Sequence, residues 1–247
     1  MDNLILSSQI KPSKRTVSKI IKVTLLIGIS TIFSLSVARS AELAVVIPPP
    51  IYDEHPIGIH SENMVVAGGC FWGVQGVFQH VKGVKNAVSG YAGGNRTTAN
   101  YENVSRGDTG HAESVQITYD PTQISYGKLL QIFFSVAHNP TELNQQGPDS
   151  GAQYRSVVFP TSKAQSNIVQ SYLIQLNQAK VFSAPTTTRI ETFNGFYPAE
   201  EHHQNFLTLN PNYPYIVFND LPKIEQLKRL FPKNYQVNPT LVALASK

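Results

Sequence analysis

The sequence predicts an α+β domain built in layers, and three observations carry that prediction. Short apolar runs of strand length recur between Met64 and Phe193. They are interleaved with longer stretches whose apolar residues repeat at helical spacing. From Ser61 to about Pro232 the chain has neither a low-complexity linker nor an internal repeat, so roughly 170 residues suit one domain.

The elements follow in order. Met64-Val65-Val66-Ala67, closed by Gly68-Gly69, reads as a buried strand and turn. Phe71, Val74, Val77, Phe78 and Val81 recur at helical spacing after Cys70. Val84 to Tyr91 and Ala112 to Tyr119 read as strands, the second alternating through Val115, Ile117 and Tyr119. Ile124 to Ala137 carries Leu129, Leu130, Phe133, Phe134 and Ala137 on one helical face. Ser156 to Phe159 is a further strand, and Thr161 to Gln178 a long helix with Ile168, Tyr172 and Leu176 at four-residue spacing. Arg189 to Phe193 reads as a strand and Ala199 to Leu207 as a short helix after Pro198. Mixed elements of this kind give an α+β layered domain.

Charge divides the chain. The formal net charge of +4 comes from 20 Lys+Arg against 16 Asp+Glu. Residues 1–41 hold six of the basic residues and a single acid, leaving 14 basic and 15 acidic residues from Glu42 onward. The body of the chain therefore offers no electrostatic case for nucleic-acid binding. Lys11 to Lys22 is cationic, residues 23–37 are uncharged and apolar, and small residues follow at Ala38-Arg39-Ser40-Ala41. That order predicts a secretory signal peptide over 1–40, with cleavage after Ser40, Ala38 or Ala41, and export, most simply to a bacterial periplasm. The alternative is a retained anchor helix, for which this apolar run is short. Residues 41–60, with prolines at 48, 49, 50 and 56, read as an arm leading into the domain rather than part of its core. The domain spans 61–232, and the tail over 233–247 reads as peripheral.

One cysteine excludes an intrachain disulfide and any cysteine-rich metal site. Cys70 follows two glycines and opens the first helix, where backbone N–H groups and the helix dipole favour a thiolate. Gly68 and Gly69 would let a substrate approach closely. A free cysteine is often just a small buried hydrophobe, but an exported protein has little reason to keep one oxidisable thiol.

Gly69-Cys70-Phe71-Trp72-Gly73 resembles the active-site signature of the A-type peptide-methionine sulfoxide reductases. The likeness continues through Gly90-Tyr91-Ala92-Gly93-Gly94, Gly110-His111-Ala112-Glu113, Tyr119-Asp120-Pro121, Gly151-Ala152-Gln153-Tyr154-Arg155-Ser156 and Phe196-Tyr197-Pro198-Ala199-Glu200-Glu201-His202-His203-Gln204. Ordered blocks from Met64 to Phe231 are far more specific than one short motif. The resemblance implies a two-layer α+β sandwich with a ferredoxin-like core, a mixed sheet flanked by helices. It implies reduction of the S epimer of methionine sulfoxide, in proteins and free, as repair of oxidative damage, through a cysteine sulfenic acid.

The resemblance also implies roles. Cys70 is the nucleophile and Glu113 the proton donor; by position alone Glu113 reads as a solvated strand-edge glutamate. Tyr91 and Tyr154 would direct their hydroxyls at the sulfoxide oxygen, and Phe71 and Trp72 would wall the substrate's methyl group. Asp149 and His203 match supporting polar positions. His202 departs from the pattern, where an aromatic such as tyrosine is expected. Adjacent His202 and His203 cannot face one site from a regular helix, so no metal pair is expected. No bound cofactor is expected either. Many relatives carry a resolving cysteine; this sequence has none, so recycling calls for an external thiol such as thioredoxin, glutaredoxin with glutathione, or dithiothreitol. Two rivals remain: a cysteine hydrolase using Cys70 with His111 or His203, and a non-catalytic module that binds oxidised methionine.

Overall fold

A computed structural model describes residues 44–54 and 58–243. The predicted signal peptide lies outside the described residues, as do 55–57 and 244–247. Among the described residues no helix is long and apolar enough to cross a membrane.

β1 (Glu62–Ala67) leads through a Gly-Gly turn into α1 (Phe71–Gln79), then β2 (Val84–Ala92). After α2 (Tyr101–Val104) comes β3 (Ala112–Tyr119), and α3 (Tyr126–Ile132) is prolonged by a wide π-type turn over Phe133–Ala137. A small hairpin, β4 (Gln145–Gln146) with β5 (Asp149–Ser150), precedes β6 (Val157–Phe159) and the long α4 (Lys163–Ala179). The chain finishes with β7 (Arg189–Ile190), β8 (Phe196–Pro198), α5 (Phe206–Leu209), a second π-type turn over Ile216–Asp220 and α6 (Leu221–Leu230).

The six-stranded sheet runs β7-β6-β1-β3-β2-β8, with every neighbouring pair antiparallel except β6 with β7. Its central β6-β1-β3-β2 order, with β3 between the two strands that α1 joins, is the split β-α-β arrangement of a ferredoxin-like core. Strand periodicity sorts the faces. Met64 and Val66 of β1, and Val115, Ile117 and Tyr119 of β3, join the large core under the helices. Val65, Ala67, Ala112, Val157 and Phe159 form a smaller cluster on the opposite face, packed with Phe193 and Phe196. The expected α+β layering and the main strands are present.

Three features differ from the sequence reading. The helix expected over Ala199 to Leu207 is instead a 3-10 turn at Glu201–His203 and the start of the short α5. Only Arg189–Ile190 of the expected strand pairs with β6, because the residues beyond turn away to cover the second cluster. The π-type turn and α6 were not anticipated; α6 places Ile224 and Leu227 in the core from an otherwise polar sequence.

The arm is a strap, not a leader. Ile47 is 3% exposed and belongs to the main core. Around it the Tyr172 hydroxyl donates to the carbonyl of Pro48 at 2.6 Å, Gln131 Nε2 to that of Ile47 at 2.8 Å and Gln175 Nε2 to that of Pro49 at 2.9 Å. Proline carbonyls are free acceptors in an extended segment, which is why so irregular a stretch can dock on α3 and α4. Ile47→Ala is expected to cost about 2 kcal/mol or more, read as a fall of several degrees in Tm; an unchanged Tm would show the strap to be dispensable. The tail is pinned as well: Gln236 N–H donates to His80 O at 2.8 Å and Thr240 N–H to Gln79 O at 2.9 Å. These bonds satisfy carbonyls that the end of α1 leaves open.

Candidate active site

The site is assembled where β1 ends and α1 begins. Cys70 is the residue before the first turn of α1, and it is half-buried. The preceding glycines do make room, but for the protein's own side chains. A Cβ on Gly68 would lie 2.7 Å from the His138 ring, and one on Gly69, at φ +87°, would lie 2.6 Å from Gln146. The expectation that they open the way to substrate is therefore replaced by close packing beneath the loop.

Glu113 faces this turn because of strand alternation. It shares the core side of β3 with Val115 and Ile117, so the sheet hides it completely rather than leaving it at a solvated edge. Its Oε2 accepts the Phe71 N–H at 3.1 Å, tying the carboxyl to the start of α1. Burial pushes its pKa up to about 8, partly opposed by that hydrogen bond. Glu113 is therefore a neutral acid near pH 7, able to give a proton.

The thiol departs from the helix-dipole expectation. Cys70 is held well above the ordinary thiol range, first by burial, then by the charges of Glu113 and Asp220; the Trp72 N–H works in the other direction. In the resting site the positive end of α1 is outweighed.

Tyr91 is fully buried, and its hydroxyl donates to Glu200 Oε2 at 2.8 Å. The other Glu200 oxygen accepts the Tyr101 N–H at 2.9 Å. Burial acts to raise the Glu200 pKa, but these donors hold it below the usual carboxylate value. Tyr91 thus braces the start of α2; its hydroxyl is committed to Glu200 and does not point freely at a substrate oxygen. Tyr101, which the sequence reading passed over among eleven tyrosines, stands at the mouth of the site. Its phenol is raised by burial and by the nearby charges of Glu113, Cys70 and Asp149. Tyr154, after the turn at Ala152–Tyr154, is raised by burial and by the same three groups. Two phenols, Tyr101 and Tyr154, therefore remain protonated donors around Cys70 and Glu113. The missing signal for Tyr101 was tertiary, since no motif quoted above contains it. Tyr91→Phe is expected to lower kcat/KM less than either Tyr101→Phe or Tyr154→Phe; a larger loss for Tyr91→Phe would restore it to the oxygen-binding set.

The aromatic wall is extensive. Trp72 stacks on Phe206 with ring centroids 3.8 Å apart and meets Tyr215 edge-on at 5.9 Å. Phe71 is buried against Tyr91 and His203. The Trp72 indole N–H donates to His203 Nδ1 at 3.3 Å. Because indole is only a donor, His203 carries its proton on Nε2; burial and the neighbouring His202 lower its pKa to about 4. Asp149 accepts a hydrogen bond from the Tyr215 hydroxyl, and burial raises its pKa despite that bond and Lys223. His111 is occupied on both ring nitrogens, by Gly94 N–H at 3.2 Å and Asn95 O at 2.9 Å. Neither His111 nor His203 is therefore a free base for the hydrolase alternative. Among the described residues no group of three or more His, Cys, Asp or Glu could hold a metal ion.

The family model for peptide methionine sulfoxide reductase matches residues 62–235. The chain belongs to the peptide methionine sulfoxide reductase family. It is 64% identical over 186 residues to peptide methionine sulfoxide reductase MsrA 2 of Mesorhizobium japonicum, covering 75% of this chain and 95% of that protein. Against MsrA 2 of Synechocystis it is 47% identical, with 75% and 88% covered. Among solved structures it resembles reduced Mxr1 of Saccharomyces cerevisiae, with TM-score 0.56 and 30% identity over 66% of this chain and 92% of that one. Methionine sulfoxide reductase A of Corynebacterium diphtheriae gives TM-score 0.54 and 29% identity, covering 71% and 90%. The reductase fold and the methionine sulfoxide chemistry of this chain follow from that membership.

Proposed function

We propose that this reductase acts on the S epimer of methionine sulfoxide through a sulfenic acid on Cys70. The observation that carries the reading is a fully buried carboxyl, neutral near pH 7, tied to the helix turn that bears the chain's one thiol. Trp72 and the aromatic residues around it would seat the methyl group, while the Tyr101 and Tyr154 hydroxyls donate to the S=O oxygen. Sulfur of Cys70 attacks the sulfoxide sulfur and Glu113 protonates the oxygen. The S–O bond then breaks as oxygen passes to Cys70, giving methionine and Cys–SOH; the thiol proton re-protonates Glu113.

With one cysteine in the sequence, recycling falls to an external thiol. A first thiol displaces water from Cys–SOH to form a mixed disulfide, and a second releases Cys70 as thiol and leaves with the disulfide. An epimer-resolved assay with dithiothreitol, glutathione and thioredoxin tests both halves. Consumption of the S epimer alone, continuing only with reductant, is expected; equal consumption of both epimers, or repeated turnover without a thiol, would overturn the reading.

Export to a periplasm is part of the same proposal, supported by the cationic, apolar and small-residue order of residues 11–41. Mass spectrometry of the mature N-terminus should find it near Ser40; an intact Met1 in the purified protein argues for a retained anchor.

A further inference from the structure

A buried ion pair lies behind the nucleophile. Asp220, at the end of the π-type turn Ile216–Asp220, is 0% exposed. Neither of its oxygens has a partner in ordinary hydrogen-bond geometry among the described residues, and its counter-ion is Lys223 Nζ at 3.4 Å. Both groups press on the first turn of α1. A Cβ on Gly73 would lie 2.1 Å from Asp220 Oδ1 and 3.0 Å from Lys223 Nζ, so only glycine admits the pair there. A buried ion pair of this kind is costly and calls for a reason.

We propose that the Asp220–Lys223 pair, seated on the bare backbone of Gly73 one turn beyond Cys70, positions a negative charge that keeps the resting nucleophile a thiol. The reason is local. A helix start offers N–H groups and a partial positive charge that would favour a thiolate. Here Glu113 takes the Phe71 N–H, and the Asp220 carboxylate faces the same turn, opposing that field. The charges divide: Asp220 raises Cys70 and Tyr215, whereas Lys223 lowers Asp149 and Asp220 itself. The titratable groups facing Cys70 are thus Glu113, Asp220, Asp149, Tyr101, Tyr154 and Tyr215. Keeping the thiol matters for an enzyme with one cysteine. A thiolate attacks peroxide, breaking the O–O bond, forming Cys–SOH and releasing hydroxide; further oxidation is irreversible.

The inference rests on Cys70 being the nucleophile, but its test does not. Alkylation by iodoacetamide reads the ionisation of this single thiol, while Cys70→Ser separately tests its catalytic role. Asp220→Asn removes the negative charge from the pair, so the alkylation midpoint should fall by about one pH unit, with roughly tenfold faster alkylation near pH 7. The double variant Asp220→Asn with Lys223→Met removes both charges, and its midpoint should lie between the parent and the single variant. Inactivation by hydrogen peroxide should follow the same order. Unchanged midpoints overturn the proposal. Equal falls in both variants also overturn it, since loosened packing alone would produce that. If Asp220→Asn fails to fold, Lys223→Met decides: removing the cation while keeping the Asp220 carboxylate should raise the midpoint above the parent, and a midpoint at or below the parent refutes the proposal.

Discussion

Cys70→Ser is expected to abolish methionine sulfoxide turnover, with kcat/KM reduced by about 10⁴-fold or to the limit of detection. The hydroxyl that replaces the thiol is a far weaker nucleophile, and it cannot accept the sulfoxide oxygen in a form that an external thiol can remove. No other thiol in the chain substitutes for it, because this is its one cysteine. Cys70 is half-buried at the loop end, where a serine hydroxyl can take over the Trp72 N–H that the thiol meets. The variant should therefore keep a parental Tm. Full activity in a correctly folded Cys70→Ser protein would remove the proposed mechanism altogether.

Glu113→Gln should lower kcat/KM by about 10²- to 10⁴-fold, the range for loss of a positioned general acid. The amide can still accept the Phe71 N–H, so the start of α1 is kept, but it has no proton to give. The pH profile makes the test specific. In the parent the acid is protonated below about 8 and lost above it, so activity should fall as pH rises through that value. The variant's residual rate should lack this limb.

Stability moves the opposite way. Glu113 titrates near 4.5 when unfolded and near 8 when folded, so the folded state holds a proton that the unfolded state has released. The penalty for ionising it in the buried site is absent below the lower value and grows through this interval to its full size above about pH 8. Glu113→Gln should thus melt higher than the parent at pH 8, with the gap closing below pH 4.5. A variant that is less stable at pH 8 would show that the carboxyl is not buried at such a cost. Gain in stability with loss of activity is the expected signature of a group held in place for chemistry.

Much of this was legible because it depends on local pattern. Alternation groups Val115, Ile117 and Tyr119 in β3, and helical spacing after Cys70 sets α1, whereas position alone left Glu113 at a solvated edge. The ordered motif blocks then point to the reductase site. What was not legible depended on partners distant in sequence. Tyr91 and Tyr101 are both tyrosines near the site, but only the position of Glu200, about a hundred residues later, engages the hydroxyl of one and the backbone of the other. The helix α6 escaped notice because its apolar content is low and its register is set by the core it meets. The strap at Ile47 escaped because prolines obscure periodicity while leaving carbonyls able to dock.

The sequence by itself determined the layered α+β class, the thiol at a helix start and the family's chemistry, since these rest on spacing and residue type. Tertiary structure alone decided the charge state of the site. A helix start favours a thiolate, and a strand-end glutamate is ordinarily ionised; burial reverses both here by removing the water that would stabilise either anion. Gly73 adds to this, for the absence of its side chain lets the Asp220 carboxylate, from the far end of the chain, rest against the first turn of α1.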